Sequence, residues 1–151
     1  ASAPSPPMSF CHSIIPTLDY LPLIDDITER LIRMYIFDQC NNMNIEVYHL
    51  EFSPDHVHLI HQLNPRIPLC DTIQNIKGGS SHYVNTSKLI PTKFAWNPGP
   101  IYFSLGNSST VKEVINTFEN HKVFHQTFSL QEEIAAWREK YPSLTSISKE
   151  N

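Results

Sequence analysis

The chemistry in this chain is concentrated in its histidines. Two of the eight, His56 and His58, flank a single valine in "SPDHVHLIHQ", residues 53–62. On a strand, side chains alternate between faces, so both imidazoles would point one way and Val57 the other. Their Cα atoms would lie about 6.6 Å apart. Imidazoles that close can share one ion at about 2.1 Å each. Taken alone, the pair leaves two readings open: two ligands of a metal ion, or polar side chains on a solvated sheet face. A metal site needs a further ligand from elsewhere in the chain.

Elements must exist to hold such a pair. "NIEVYHLEF" alternates apolar and polar residues and "HVHLIHQL" follows it across the tight turn "SPD", so the two read as an antiparallel hairpin. "FCHSIIPTL" has strand character, with Pro16 confining it to an edge or ending it. "IDDITERLIRMYIFDQCNN" reads as a helix. Ile24, Ile27, Leu31, Met34 and Tyr35 recur at helical spacing, with Asp25 and Asp26 at the start. A second helix runs from about Leu69 with Gly78 and Gly79 inside it, each costing about 1 kcal/mol relative to Ala. "NTSKLIPTKFAWNPGP" is loop-rich, "IYFSL" a short strand and "GNSS" a turn. "STVKEVINTFENHKVFHQ" is helical, capped by Ser109 or Thr110. "SLQEEIAAWREKY" is helical with a Ser129–Glu132 capping box and Phe128 just before it. The order β-α-β-β-α-β-α-α predicts an α+β fold: a ferredoxin- or RRM-like antiparallel sheet with helices packed on it.

The length of 151 residues suits one domain, placed at residues 10–141. Residues 1–9 are expected to be a disordered tail and residues 142–151 a flexible one. Cys11, Cys40 and Cys70 are widely spaced, which argues against a disulfide framework or a cysteine zinc site. No stretch reaches the ~18 apolar residues of a membrane helix, and no signal peptide is apparent. The net charge of −4 excludes a broadly basic nucleic-acid binder. Phosphate contacts would need a local patch, for which Arg66, Lys77, Lys88 and Lys93 are candidates, or a metal ion. His61 falls on the face opposite His58, and His125 stands four residues beyond His121, where it could support a ligand or simply face solvent; both are expected at the surface. Trp96, Trp137, Tyr83 and Tyr102 are expected to pack.

Four collinear segments carry a resemblance. "EFSPDHVHLI" resembles the Met-Pro-Asp-His-Val-His-Leu-Leu hairpin of the IS200/IS605-type transposases, single-strand DNA nucleases with a His-hydrophobic-His motif. "IQNIKGGSSHYVN" is similar to their Lys-Gly-x-Ser-Ser segment. "FAWNPGPIYFSL" matches a third segment at Trp96, Gly99, Phe103, Ser104 and Leu105. "ENHKVFHQTFSLQEE" matches a fourth at Glu119, Asn120, His125, Ser129 and Glu133. The resemblance spans about residues 10–140.

The resemblance implies a divalent ion (Mg, Mn or Zn) held by the two histidines and a Gln of a late helix. It also implies a tyrosine, one turn before that Gln, that attacks the phosphate to give a 5′-phosphotyrosine link. Here the Gln position falls on His121, giving His56–His58–His121, and the Tyr position on Thr117. An aliphatic alcohol is much harder to deprotonate than a phenol of pKa ≈ 10. The first strand also lacks the relatives' basic residues and has Asp19 there. The implied function is binding of single-stranded or hairpin DNA at a histidine-based metal site, with cleavage and rejoining impaired. Alternatives are a metal-dependent nucleic-acid or phosphoester hydrolase using a metal-bound water, and a non-catalytic DNA-binding regulator. The resemblance further implies a homodimer with merged sheets and an exchanged late helix, so that His121 would complete the partner's site. The expected location is the cytoplasm, on the nucleoid.

Overall fold

The computed structural model describes residues 9–121, 124–125 and 128–140. The expected tails lie outside the described residues, apart from Ser9. The chain runs β1 (Phe10–Pro16), α1 (Asp26–Asn42), β2 (Val47–Ser53), β3 (His56–Gln62), α2 (Leu69–Ser87), β4 (Ile101–Leu105) and α3 (Ser108–Thr117). A 3-10 turn, Phe118–Asn120, continues α3, and α4 spans Leu130–Lys140. The four strands form one antiparallel sheet in the order β2-β3-β1-β4, which is the ferredoxin-like arrangement.

This order places β1 inside the sheet, paired on both sides, rather than at an edge. Pro16 is tolerated because it ends the strand; the next amide, Thr17, donates to the Asp55 carbonyl at 2.9 Å.

Both sheet faces are covered. α1 and α2 pack on Cys11, Ile15, Leu50, Phe52, Val57, Leu59 and Tyr102. α3, its 3-10 turn and α4 pack on Phe10, Ile14, Ile60, Ile101, Phe103 and Leu105. A sheet sandwiched this way buries β1 end to end and all of β3 up to Gln62, so polar residues on them must find partners inside.

Helix α1 meets the sheet with Thr28, Leu31, Ile32, Ile36 and Cys40. Ile27 and Met34, expected on that face, are 47% and 57% exposed. Asp25 caps the helix, accepting from the Thr28 amide at 2.7 Å. Gly79 has a packing reason to sit mid-helix in α2. The Tyr35 ring of α1 fills the space a Cβ would occupy there, so the two helices approach closely. Asn107, rather than Ser109 or Thr110, caps α3, accepting from the Thr110 amide at 2.9 Å. The capping box of α4 forms as expected: the Ser129 amide donates to Glu132 Oε1 at 3.1 Å and the Glu132 amide to Ser129 Oγ at 3.2 Å.

Candidate metal centre

Strand alternation puts His56, His58 and Ile60 of β3 on the α3/α4 face, opposite Ser53, Glu51 and His49 of β2. A register shift between Val47 and His49 brings His49 onto this face. The 3-10 turn after α3 delivers His121 to the same place, where it is 3% exposed. The capping box then sets the phase of α4. Glu133, Ile134 and Trp137 face inward, and Glu133 is buried beneath the helix's first turn.

Glu133 is the hub. Its Oε1 lies 3.1 Å from His56 Nε2, 3.0 Å from His58 Nε2 and 2.8 Å from His125 Nε2, and its Oε2 lies 3.0 Å from His121 Nε2. His56 Nε2 and His58 Nε2 are 3.2 Å apart. Two nitrogens bound to one tetrahedral ion at about 2.1 Å would be separated by about 3.4 Å, so the imidazole pair is spaced to share an ion. One ligand atom each from His56, His121, His125 and Glu133 lie within 4.8 Å of one another. The donors present therefore fit a divalent ion that accepts imidazole and carboxylate.

The far nitrogens are tied down, which fixes what the near ones can do. His56 Nδ1–H donates to Asp55 Oδ1 at 2.6 Å, giving the "SPD" turn a role beyond chain reversal. His125 Nδ1–H donates to the Phe128 carbonyl at 3.0 Å. His121 Nδ1 lies 3.4 Å from Ser53 Oγ and 3.9 Å from Glu51. His58 Nδ1 meets another imidazole, His12 Nε2, at 2.7 Å. His12 is fully buried, edge-on to Trp137, and its Nδ1 has no hydrogen-bond partner. An N–H and a lone pair must face each other in that bond. If His58 presents a lone pair on Nε2, its proton sits on Nδ1 and His12 accepts it.

Burial and charge pull these groups apart. Burial pushes His58 down to about 3, only partly offset by Glu133. Burial would also lower His56, but its bonds to Asp55 and Glu133 outweigh this and raise it. Burial would raise Glu133, but four imidazole hydrogen bonds hold it far below the usual carboxylate range. The metal-free centre is thus an ionised carboxylate among imidazoles, in which the charged form of His56 is favoured by its bonds to Asp55 and Glu133.

The residues expected from the sequence fare differently. His56, His58 and His121 come together, and within one chain. His125, expected at the surface, joins them, its Nε2 2.8 Å from Glu133 Oε1. Glu133 was visible only as a motif match, since an acid in the first turn of a helix is ordinary dipole complementation. His61 does lie on the opposite face but is fully buried, because α1 and α2 cover that face. Trp96 and Tyr102 are buried on the α1/α2 side and Trp137 beside the histidines, while Tyr83 is 38% exposed.

Thr117 ends α3, exposed, and its hydroxyl donates to the Val114 carbonyl at 2.6 Å. It lines a cavity of about 250 Å³ with Phe118, His121, Phe124, Trp137 and Lys140. Arg66, Lys88 and Lys93 are exposed in the β3–α2 connection and beyond α2. Lys77 leaves the expected patch: it is buried and its ammonium donates to the Asn97 and Pro98 carbonyls at 2.7 and 3.3 Å.

A ferredoxin-like sheet with a buried imidazole–carboxylate centre defines the class: an α+β domain with a candidate metal site on one sheet face. The transposase family described as IS200-like matches residues 11–121, and the chain belongs to that family. Two solved structures share the fold. A protein of Deinococcus radiodurans R1 assigned as a transposase is 18% identical with a TM-score of 0.62, over 78% of this chain and 95% of that one. A REP-associated tyrosine transposase bound to a REP hairpin is 13% identical with a TM-score of 0.62, over 83% of this chain and 74% of that one. No curated protein matches the chain. No helix among the described residues is long and apolar enough to cross a membrane.

Proposed function

We propose that this chain binds single-stranded or hairpin DNA beside a divalent ion held at the His56–His58–His121 centre, and that covalent strand cleavage and rejoining are impaired because Thr117 stands at the nucleophile position. The observation that carries this is the convergence of four imidazole Nε2 atoms on Glu133 in one buried centre. Family membership supplies the DNA context, and a hairpin is the ligand of one structural neighbour.

Imidazole-rich donors favour Zn or Mn over Mg, which prefers oxygen ligands and water. A bound ion would supply charge stabilisation at a phosphodiester oxygen. The chain's own groups do the rest. Asp55, the Phe128 carbonyl and His12 orient the imidazoles. Arg66, Lys88 and Lys93 offer phosphate contacts, and the aromatic cavity beside Thr117 offers a surface on which an unpaired base could stack. With a net charge of −4, DNA affinity should depend strongly on these few cations, and its fall with salt should be correspondingly modest. The Thr117 side chain has neither the reach of a phenol nor its acidity. A homodimer, and a place in the cytoplasm with the nucleoid, belong to the same reading.

The test is a labelled hairpin oligonucleotide incubated with the protein and Mn²⁺, read by mobility shift and by denaturing gel. The expected result is a salt-sensitive shift without a covalent adduct. No binding at low salt overturns DNA recognition, and an adduct overturns the impairment. Product release without an adduct, lost in His56→Ala, would instead favour the hydrolase.

A further inference from the structure

Catalytic zinc sites keep three protein ligands and leave a position open, whereas structural sites are closed by four. This centre offers more donors than an open site uses. Beside the three expected histidines, His125 stands at the centre, and α4 brings Glu133. His56, His121, His125 and Glu133 form a mutually close set of four, and His58 lies 3.2 Å from His56 and 3.0 Å from Glu133. The donors are largely shielded: the side chains of His56, His121, Glu133 and His125 are 0%, 3%, 7% and 13% exposed, with His121 and Glu133 bordering the cavity beside Thr117. Leu130, Ile134 and Trp137 seal α4 onto the sheet around them.

We propose that Glu133 and His125 close the coordination sphere, so that the ion serves as a structural clamp tying β3 to the end of α3 and to α4. The inference rests on the reading that this centre takes a divalent ion, and it changes what that ion does. A closed sphere leaves no place for a phosphate oxygen. The loss of the nucleophile and the closing of the ion are then two independent blocks, and Thr117→Tyr alone would not restore cleavage. Glu133 replaces a solvent ligand with a carboxylate that cannot leave without uncovering a buried, positively charged cluster.

The probe is Co²⁺ added to the full chain after dialysis against a chelator, read by its visible absorption. Closure predicts one Co²⁺ bound with a visible spectrum that is unchanged when millimolar azide or inorganic phosphate is added. Bound metal should also raise the melting temperature. Glu133→Gln and, separately, His125→Ala should still bind Co²⁺ but acquire an azide-sensitive spectrum. The second variant alters a partly exposed side chain, so it keeps the test open if the first fails to fold. A wild-type spectrum that shifts with azide, or a His125→Ala spectrum indistinguishable from wild type, overturns closure. Failure of the wild type to bind Co²⁺, Zn²⁺ or Mn²⁺ overturns the underlying metal reading instead, and with it the clamp.

Discussion

Strand β3 places a buried histidine on each face of the sheet, and the two do different things. His58 faces α4 and lies among three other imidazoles and the Glu133 carboxylate. His61 faces α1 and α2 and closes a neutral chain. Its Nδ1–H donates to the Gln62 carbonyl at 2.9 Å, Ser13 donates to its Nε2 at 2.9 Å, and Cys11 Sγ stands 3.4 Å behind Ser13. Both histidines are fully buried. Burial therefore does not mark a site. What separates the two is that every nitrogen of His61 is satisfied by neutral neighbours, whereas the Nε2 atoms around Glu133 compete for one carboxylate. Cys11, Ser13 and His61 have the residue types of a nucleophile relay, but burial pushes the Cys11 thiol up to about 12 and no solvent reaches it.

The largest expected break in this comparison is Glu133→Ala. It leaves four buried imidazoles, with the charged form favoured at His56, without their shared carboxylate, at a cost of about 3–5 kcal/mol by the usual penalty for half a buried ion pair. Urea unfolding of the metal-free protein measures it. A loss under about 1 kcal/mol would mean the histidines are already neutral or solvated.

Acid unfolding separates the faces next. Burial holds His61 at about 4 in the folded chain, below the unfolded value near 6.5. A group whose imidazole must stay neutral contributes stability above pH 6.5 that is lost as pH falls toward about 4. His61→Leu should therefore flatten the stability curve over that window by roughly 3 kcal/mol. His56, with its value raised, acts in the opposite sense. With a chelator present, its contribution is intact below pH 6.5 and fades as pH rises through its folded value. His56→Ala should flatten the other limb. Identical pH profiles for the two variants would erase the distinction.

His12→Phe removes the acceptor behind His58 while keeping a ring against Trp137. It should weaken metal binding about 10–100-fold, the usual effect of losing a ligand's orienting partner. Competition with a chromophoric chelator reads this; unchanged affinity would make His12 a packing residue only. The smallest effect is expected at Thr117→Val. This exposed helix end should change stability by under about 0.5 kcal/mol and leave metal affinity alone.

Much of this arrangement can be read from the residues. The alternation around Val57 predicts that His56 and His58 share a face, and the hairpin, the element order and the α4 capping box follow from local patterns that the fold obeys. The misreadings share a physical cause. The surface placement of His61 assumes one solvated sheet face, but both faces are covered. Ile27 and Met34 of α1 are apolar yet exposed, so hydrophobicity mis-phases the helix, and its inner stripe includes Thr28 and Cys40. Glu133 and His125 reach the centre by the packing of α4 against the sheet, which no local spacing encodes. His12 sits 46 residues from its partner His58 and meets it by strand register alone.

On the reading proposed above, the imidazole–carboxylate centre on the α3/α4 face takes a divalent ion. Calorimetric titration of the metal-free chain with Zn²⁺, run in parallel on His56→Ala and His61→Leu, tests it most directly. One ion per chain is expected for the wild type and for His61→Leu, and none at comparable affinity for His56→Ala. No binding by the wild type, or equal loss in both variants, would contradict it.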